Sequence, residues 1–130
     1  MDTENKKPIL LVEDDVALRK VLIEKLTDEG FVVLEASDGR EGLAIALEKH
    51  PALILLDIFM PNMDGISMLA KLRANDSWGK HVAVIVLTNS TDAETIEKVT
   101  GYGAADFLIK SEWSLEDLVA RIREHLMKVV

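Results

Sequence analysis

The chain has no cysteine. That excludes disulfides, thiolate metal sites and cysteine nucleophiles, and it fits a reducing compartment. Cationic side chains are scarce: 15 Lys and Arg stand against 23 Asp and Glu, a formal charge of −8. Direct nucleic-acid binding needs Lys and Arg to meet phosphates, so this balance argues against it. No apolar stretch reaches the roughly 18–20 residues of a membrane-spanning helix. The opening MDTENKKP is polar and has no signal-peptide core. There is no internal repeat, low-complexity tract or linker. The expectation is a cytoplasmic domain with no membrane partner and no direct nucleic-acid partner. What is present is 130 residues, 48% of them apolar, enough for one domain with a true core. Residues 1–7 read as a tail and 8–130 as that domain, with no output domain behind it.

Four apolar runs each end on a polar residue of one chemical set. Ile9–Val12 leads into Glu13, Asp14 and Asp15; Leu53–Leu56 into Asp57; Val82–Leu87 into Thr88; Phe107–Ile109 into Lys110. Continuous short runs of this kind are the mark of buried parallel strands. Ligands of open α/β sheets bind beyond the carboxyl ends of the strands. Carboxylates, a hydroxyl and an ammonium therefore collect on one rim, a set suited to a hard divalent cation and a phosphoryl group.

Between the runs lie amphipathic segments. Strands are expected at about Ile9–Glu13, Val32–Ala36, Leu53–Asp57, Val82–Leu87 and Asp106–Ile109. The first helix carries Leu18, Val21, Leu22, Lys25 and Leu26 at helical spacing and stops near Gly30. The second follows Asp38 and ends before Pro51; the third covers about Gly65–Ala74, with Ile66, Leu69 and Leu72 inward. The fourth, about Asp92–Thr100, has the weakest apolar face, mainly Ile96 and Val99. The fifth, about Leu115–Met127, buries Leu115, Leu118, Val119, Ile122 and Leu126, and Ser114 with Asp117 forms a capping box. Five βα units imply a parallel sheet covered on both faces. Right-handed crossovers do not by themselves fix the strand order.

LLVEDD, LLDIFMPNMDG, VLTNS and FLIK, in this order on five βα units, resemble the response-regulator receiver domain of two-component signalling. The resemblance runs from about Pro8 to Met127. It implies a flavodoxin-like doubly wound fold with strand order 2-1-3-4-5. It also implies a single-domain response regulator: a switch that takes a phosphoryl group from a sensor histidine kinase or a histidine phosphotransfer protein. No enzyme activity is implied beyond Mg-dependent self-phosphorylation and autodephosphorylation.

In this likeness Asp57 is the phosphoacceptor, since a carboxylate can attack phosphorus and form an acyl phosphate. It must be ionised, and a nearby cation should hold its pKa down. Asp14 would bind Mg2+ (or Mn2+) directly and Glu13 through water, with Asp57 and the main-chain carbonyl of Phe59 completing the protein ligands. Asp15 reads as a helix N-cap, with direct ligation as the alternative. Thr88 would donate to one phosphoryl oxygen and Lys110 pair with another; a plain Lys110–Asp57 salt bridge is compatible with both. Pro61, Asp64 and Gly65 read as loop scaffolding. Phe107 is either the family's aromatic switch, acting with Thr88, or a core aromatic. The three histidines lack ligand spacing, and Trp78 and Trp113 are open between packing and partner contact. The signal is expected to leave through a protein partner on the fourth helix, fifth strand and fifth helix, about residues 92–127.

The chain departs from the family pattern in places. Ser111 stands where proline, often cis, is usual; a cis bond without proline costs about 3–4 kcal/mol, so a trans bond is expected. Asn89 stands where the family usually has a small residue, and Phe59 and Ser90 occupy positions that border the site in relatives, which implies that they influence dephosphorylation. Competing readings are weaker. A receiver fold without chemistry would have lost one of Asp57, Asp14, Thr88 or Lys110. An aspartate-nucleophile phosphatase typically has an acid two residues after the nucleophile, where this chain has Phe59. A flavodoxin needs a hydroxyl- and glycine-rich loop where this chain has three acids.

Overall fold

A computed structural model describes residues 7–60, 62–75, 77–89 and 92–127. The readings on Pro61 and Ser90 lie outside the described residues. Five strands form one parallel sheet: β1 (Ile9–Val12), β2 (Val33–Ala36), β3 (Leu53–Asp57), β4 (Ala83–Thr88) and β5 (Asp106–Ile109). Their order is β2-β1-β3-β4-β5, flavodoxin-like as expected. The helices are α1 (Val16–Asp28), α2 (Gly39–Lys49), α3 (Gly65–Asn75), α4 (Ser77–His81), α5 (Ala93–Gly101) and α6 (Leu115–Met127).

The sheet separates two apolar layers, because successive strand side chains point to opposite faces. Leu10, Val12, Ile54, Leu56, Val84 and Val86 face one way, joined by Ala46, Met68, Leu69, Leu72 and Val99 from α2, α3 and α5. Ile9, Leu11, Leu53, Leu55, Ile85 and Leu87 face the other, against Leu22 and Leu26 of α1 and Leu118, Val119 and Ile122 of α6. The central strands β1 and β3 are buried along their whole length, hence their unbroken apolar runs.

Local signals set the helix starts. The Asp15 carboxylate accepts from Leu18 N at 3.1 Å and caps α1. Asp38 caps α2 through Glu41 N at 2.8 Å, and Asp64 caps α3 through Ser67 N at 2.8 Å. The capping box before α6 is closed in both directions, Asp117 N to Ser114 Oγ at 3.1 Å and Ser114 N to Asp117 Oδ2 at 3.2 Å. Gly30, just past α1, has φ +94°, where glycine carries no Cβ penalty.

Three details differ from the sequence reading. The expected fivefold βα repeat carries one further helix, the single-turn α4, which is too short to show periodicity. Val21 is exposed, because α1 turns Leu22 and Leu26 inward and Val21 lies off that stripe. In α5 the buried positions are Thr95 and Val99, with Ile96 only half-buried. Thr95 can face inward because its hydroxyl donates to Asp92 Oδ2 at 3.2 Å.

The two tryptophans belong to opposite ends of the sheet. Trp78, on α4 ahead of β4, stacks on His50, with ring centroids 4.2 Å apart and planes 10° from parallel. Trp113, in the turn after β5, packs against the α1/α6 layer. Its buried indole Nε1 has no hydrogen-bond partner among the described residues.

Candidate functional site

Strand register builds the site. Val12 lies opposite Leu56, so Glu13 comes level with Asp57; Asp57 lies opposite Leu87, so Thr88 falls one step beyond. Thr88 in turn lies opposite Ile109, and Lys110 follows. Lys110 N donates to Thr88 O at 2.7 Å, tying the lysine backbone to the end of β4. Alternation sorts the side chains. Glu13, Asp57 and Lys110 share the parity of the residues facing α1 and α6, whereas Thr88 shares that of Val84 and Val86. Phe107 packs half-buried on the Val84–Val86 side, so Thr88 and Phe107 belong to the same face of the sheet.

The groups meet closely. Carboxylate oxygens of Glu13, Asp14 and Asp57 lie within 4.8 Å of one another. Lys110 Nζ lies 2.9 Å from Glu13 Oε1 and 3.3 Å from Asp57 Oδ1. The plain Lys110–Asp57 ion pair therefore exists, with Glu13 as the nearer partner. Glu13 is 1% exposed and Asp57 5%, whereas Asp14 is exposed. Thr88 is fully buried. The other Glu13 oxygen, Oε2, accepts from Asp15 N at 3.1 Å. Both Glu13 oxygens are thus engaged within the protein. Asp14, with Phe59, Met60 and Asp64, lines an open hollow of about 440 Å³ beside the cluster.

Electrostatics follow from burial. Burial, then the neighbouring Glu13 carboxylate, pushes the Asp57 pKa up to about 7; Lys110 pulls the other way without prevailing. The ammonium alone does not hold Asp57 in the usual carboxylate range, contrary to the simplest expectation for an acid beside a cation. For Lys110, burial disfavours the charge, yet its bond to Glu13 and the charge of Asp57 leave its pKa raised. Two buried carboxylates sharing one ammonium are short of positive charge.

The donor set fits a hard divalent ion. It is all oxygen, with no sulfur or imidazole, and its exposed member Asp14 faces a hollow with room for the waters Mg2+ retains. Asp15 is spent on the α1 cap, so the bond predicted for a cap is the one it makes.

The loop that follows Asp57 is held from several sides. Gly65 N donates to Ile58 O at 2.7 Å, and a Cβ on Gly65 would overlap the Asp57 carbonyl oxygen. The glycine serves a close approach of backbone to backbone. Asn62, at φ +67°, donates through Nδ2 to Asp38 Oδ2 at 2.7 Å and docks the loop on the start of α2. Among the described residues there is no cis peptide bond, so Lys110–Ser111 is trans. Sequence reasoning missed Arg19 and Arg73. Arg19 Nη1 donates to the Glu13 carbonyl at 2.6 Å. Arg73 donates to the carbonyls of Tyr102 (2.7 Å), Gly79 (2.9 Å), Val82 (2.9 Å) and Gly103 (3.0 Å). Neither contact has a local sequence signature.

Comparison with known proteins places the chain in a family. Residues 9–123 match the family model of the response regulator receiver domain. The chain is 40% identical over 112 residues to a probable C4-dicarboxylate response regulator, DctR, of Priestia megaterium, covering 82% of this chain and 47% of that protein. It is 37% identical over 130 residues to the DNA-binding response regulator MtrA of Mycobacterium bovis, covering 98% of this chain and 54% of the relative. The chain spans about half the length of the curated relatives it matches. Among solved structures, a CheY-like receiver domain protein from Methanospirillum hungatei superposes with a TM-score of 0.88 at 29% identity, covering 95% and 96% of the two chains. Chemotaxis protein CheY4 of Vibrio cholerae gives 0.83 at 29% identity, covering 92% and 98%. No helix among the described residues is long and apolar enough to cross a membrane. The chain belongs to the response-regulator receiver domain family.

Proposed function

We propose that Asp57 is the phosphoacceptor of this receiver domain, with Glu13, Asp14, Thr88 and Lys110 as its working neighbours. Receiver domains of this family are signalling modules phosphorylated on aspartate; the assignment to particular residues is the proposal. The observation that carries it is the meeting of three carboxylates and one ammonium at the strand ends, where Asp57 is buried and short of positive charge.

In the reaction proposed, an ionised Asp57 oxygen attacks phosphorus of a phosphohistidine donor. The phosphorus–nitrogen bond breaks and the donor imidazole leaves. An acyl phosphate remains on Asp57. Asp14 and Asp57, the Phe59 carbonyl, and Glu13 through water would hold Mg2+, which supplies counter-charge to the phosphoryl oxygens. Lys110 would exchange its carboxylate partners for a phosphoryl oxygen, and the Thr88 hydroxyl would donate to another. Catalysis is then positioning and charge neutralisation. Attack of water on the acyl phosphate restores Asp57. The donor is a sensor histidine kinase or a histidine phosphotransfer protein. The output is a protein partner on the face of α5, β5 and α6, biased through Thr88 and Phe107.

The test is incubation with acetyl phosphate and Mg2+, followed by intact mass. One added phosphoryl group is expected, absent in Asp57→Asn and in EDTA. Labelling that persists in Asp57→Asn on Asp14 or Asp15 would overturn the assignment.

A further inference from the structure

Strand β1 ends at Val12, yet the chain stays tightly held for three more residues before α1 starts. Glu13 N still donates to Ala36 O of β2 at 3.0 Å. The Glu13 carbonyl lies past the last ladder pair of β1 and β2, and Arg19 provides its donor. From the close of the first turn of α1, Arg19 reaches back to place Nη1 2.6 Å from that oxygen. Its Nε, 3.1 Å from Glu35 Oε1, anchors the guanidinium to β2. The Arg19 side chain is only 16% exposed. Both ends of a rigid planar fork are thus fixed, one on the sheet edge and one on the peptide joining Glu13 to Asp14.

That peptide is where the acidic pair diverges. On its amino side, Glu13 turns inward to Lys110; on its carboxyl side, Asp14 faces the hollow with Phe59. A rotation of this one peptide plane would move Asp14 relative to Asp57. Asp15, next along, is held by its amide to Glu13 Oε2 and by its carboxylate to Leu18 N. Among these contacts, Arg19 makes the one that holds the Glu13–Asp14 peptide by its oxygen.

We infer that Arg19 is a positioning residue for the acidic pair: by clamping the Glu13 carbonyl it sets how tightly Asp14 and Asp57 take a divalent cation. This rests on the proposed metal site. The sign of its effect separates it from simple charge. Arg19 is a cation near a cation site, so as a charge alone it repels the metal, and its removal would tighten binding. As a clamp its removal loosens binding. Partners that orient metal ligands characteristically matter by about 10–100-fold in affinity.

The experiment is Mg2+ titration of the unphosphorylated protein, followed by amide chemical shifts, for the parent, Arg19→Ala, Arg19→Lys and Asp14→Asn. The Mg2+ Kd should rise about tenfold in Arg19→Ala and by a smaller factor in Arg19→Lys, which keeps the charge without the fork. Thermal melts in EDTA confirm that each variant is folded at the titration temperature. Parent-like binding in Arg19→Lys with tighter binding in Arg19→Ala would show a charge effect and overturn the clamp. If Asp14→Asn loses binding while both Arg19 variants keep the parent Kd, Arg19 has no such role and the site stands. If Asp14→Asn binds like the parent, the site assignment falls and the clamp with it.

Discussion

Asp57 and Glu13 share Lys110 in a buried setting, which makes the metal-free protein sensitive to pH. Burial and the Glu13 charge raise the Asp57 pKa to about 7; unfolded, the group titrates near an ordinary aspartate value. Between those values the folded state holds a proton that the unfolded state has released. Its contribution to stability is full below about pH 4 and lost as pH rises through about 7, a few kcal/mol in all, at roughly 1.4 kcal/mol for each pH unit between the two pKa values. Urea unfolding in EDTA should show this fall, Asp57→Asn should flatten it, and Mg2+ at pH 8 should recover part of the loss. Gly65→Ala tests the acceptor loop. The added Cβ must displace the Asp57 carbonyl, so acetyl phosphate labelling should slow and stability should drop by more than the ~1 kcal/mol scale of ordinary glycine exchanges. The cluster of Glu13, Asp57 and Lys110 was legible because each follows an apolar run, and parallel strands bring such ends to one rim. The reason for Gly65 was not legible: the oxygen it must clear belongs to the end of a strand across the acceptor loop. Arg19 was missed for a like reason, since a side chain that seeks a main-chain carbonyl leaves no complementary residue to find.

At the scale of elements, α5 is lightly packed, with only Thr95 and Val99 buried. Its carboxyl end is held by Arg73 of α3, which donates to Tyr102 and Gly103 and also to Gly79 and Val82. Arg73→Ala leaves those carbonyls short of a charged donor and should cost about 2–3 kcal/mol, read by urea unfolding. The same arrangement makes α5 asymmetric, pinned at Tyr102 and lightly packed at Ala93. On phosphorylation, or with beryllofluoride as its mimic, amide shifts should extend from the acceptor loops into α5, β5 and α6, and be larger at the Ala93 end of α5 than at the Gly101 end. Shifts confined to the loops at Asp14 and Asp57 would rule out this route. Helix starts at Asp15, Asp38, Asp64 and Ser114 were legible because caps are local. The single turn α4 was not, since so short a helix cannot establish a period. The inward turn of Thr95 rested on a hydroxyl bond to Asp92 that hydropathy does not weigh.

At the scale of the whole molecule, alternation of strands and helices showed a parallel sheet covered on both faces, and the burial of β1 and β3 agrees. The strand order was legible only through family likeness. Right-handed crossovers permit several orders, and what selects among them is long-range packing of two layers across the sheet. The tryptophans at the two ends of this sheet have a spectroscopic consequence. Trp78, stacked on His50, lies at the end away from the acidic cluster. Trp113 sits in the turn that follows Lys110, and its buried indole Nε1–H has no hydrogen-bond partner among the described residues. An indole without a hydrogen-bond partner emits toward the blue and reddens when its N–H gains an acceptor or water. The protein therefore carries its own pair of optical probes, one at the working rim and one as internal reference. With Trp78→Phe, emission should shift when beryllofluoride and Mg2+ draw Lys110 toward a fluoride that stands in for a phosphoryl oxygen; with Trp113→Phe, the remaining emission should stay where it was.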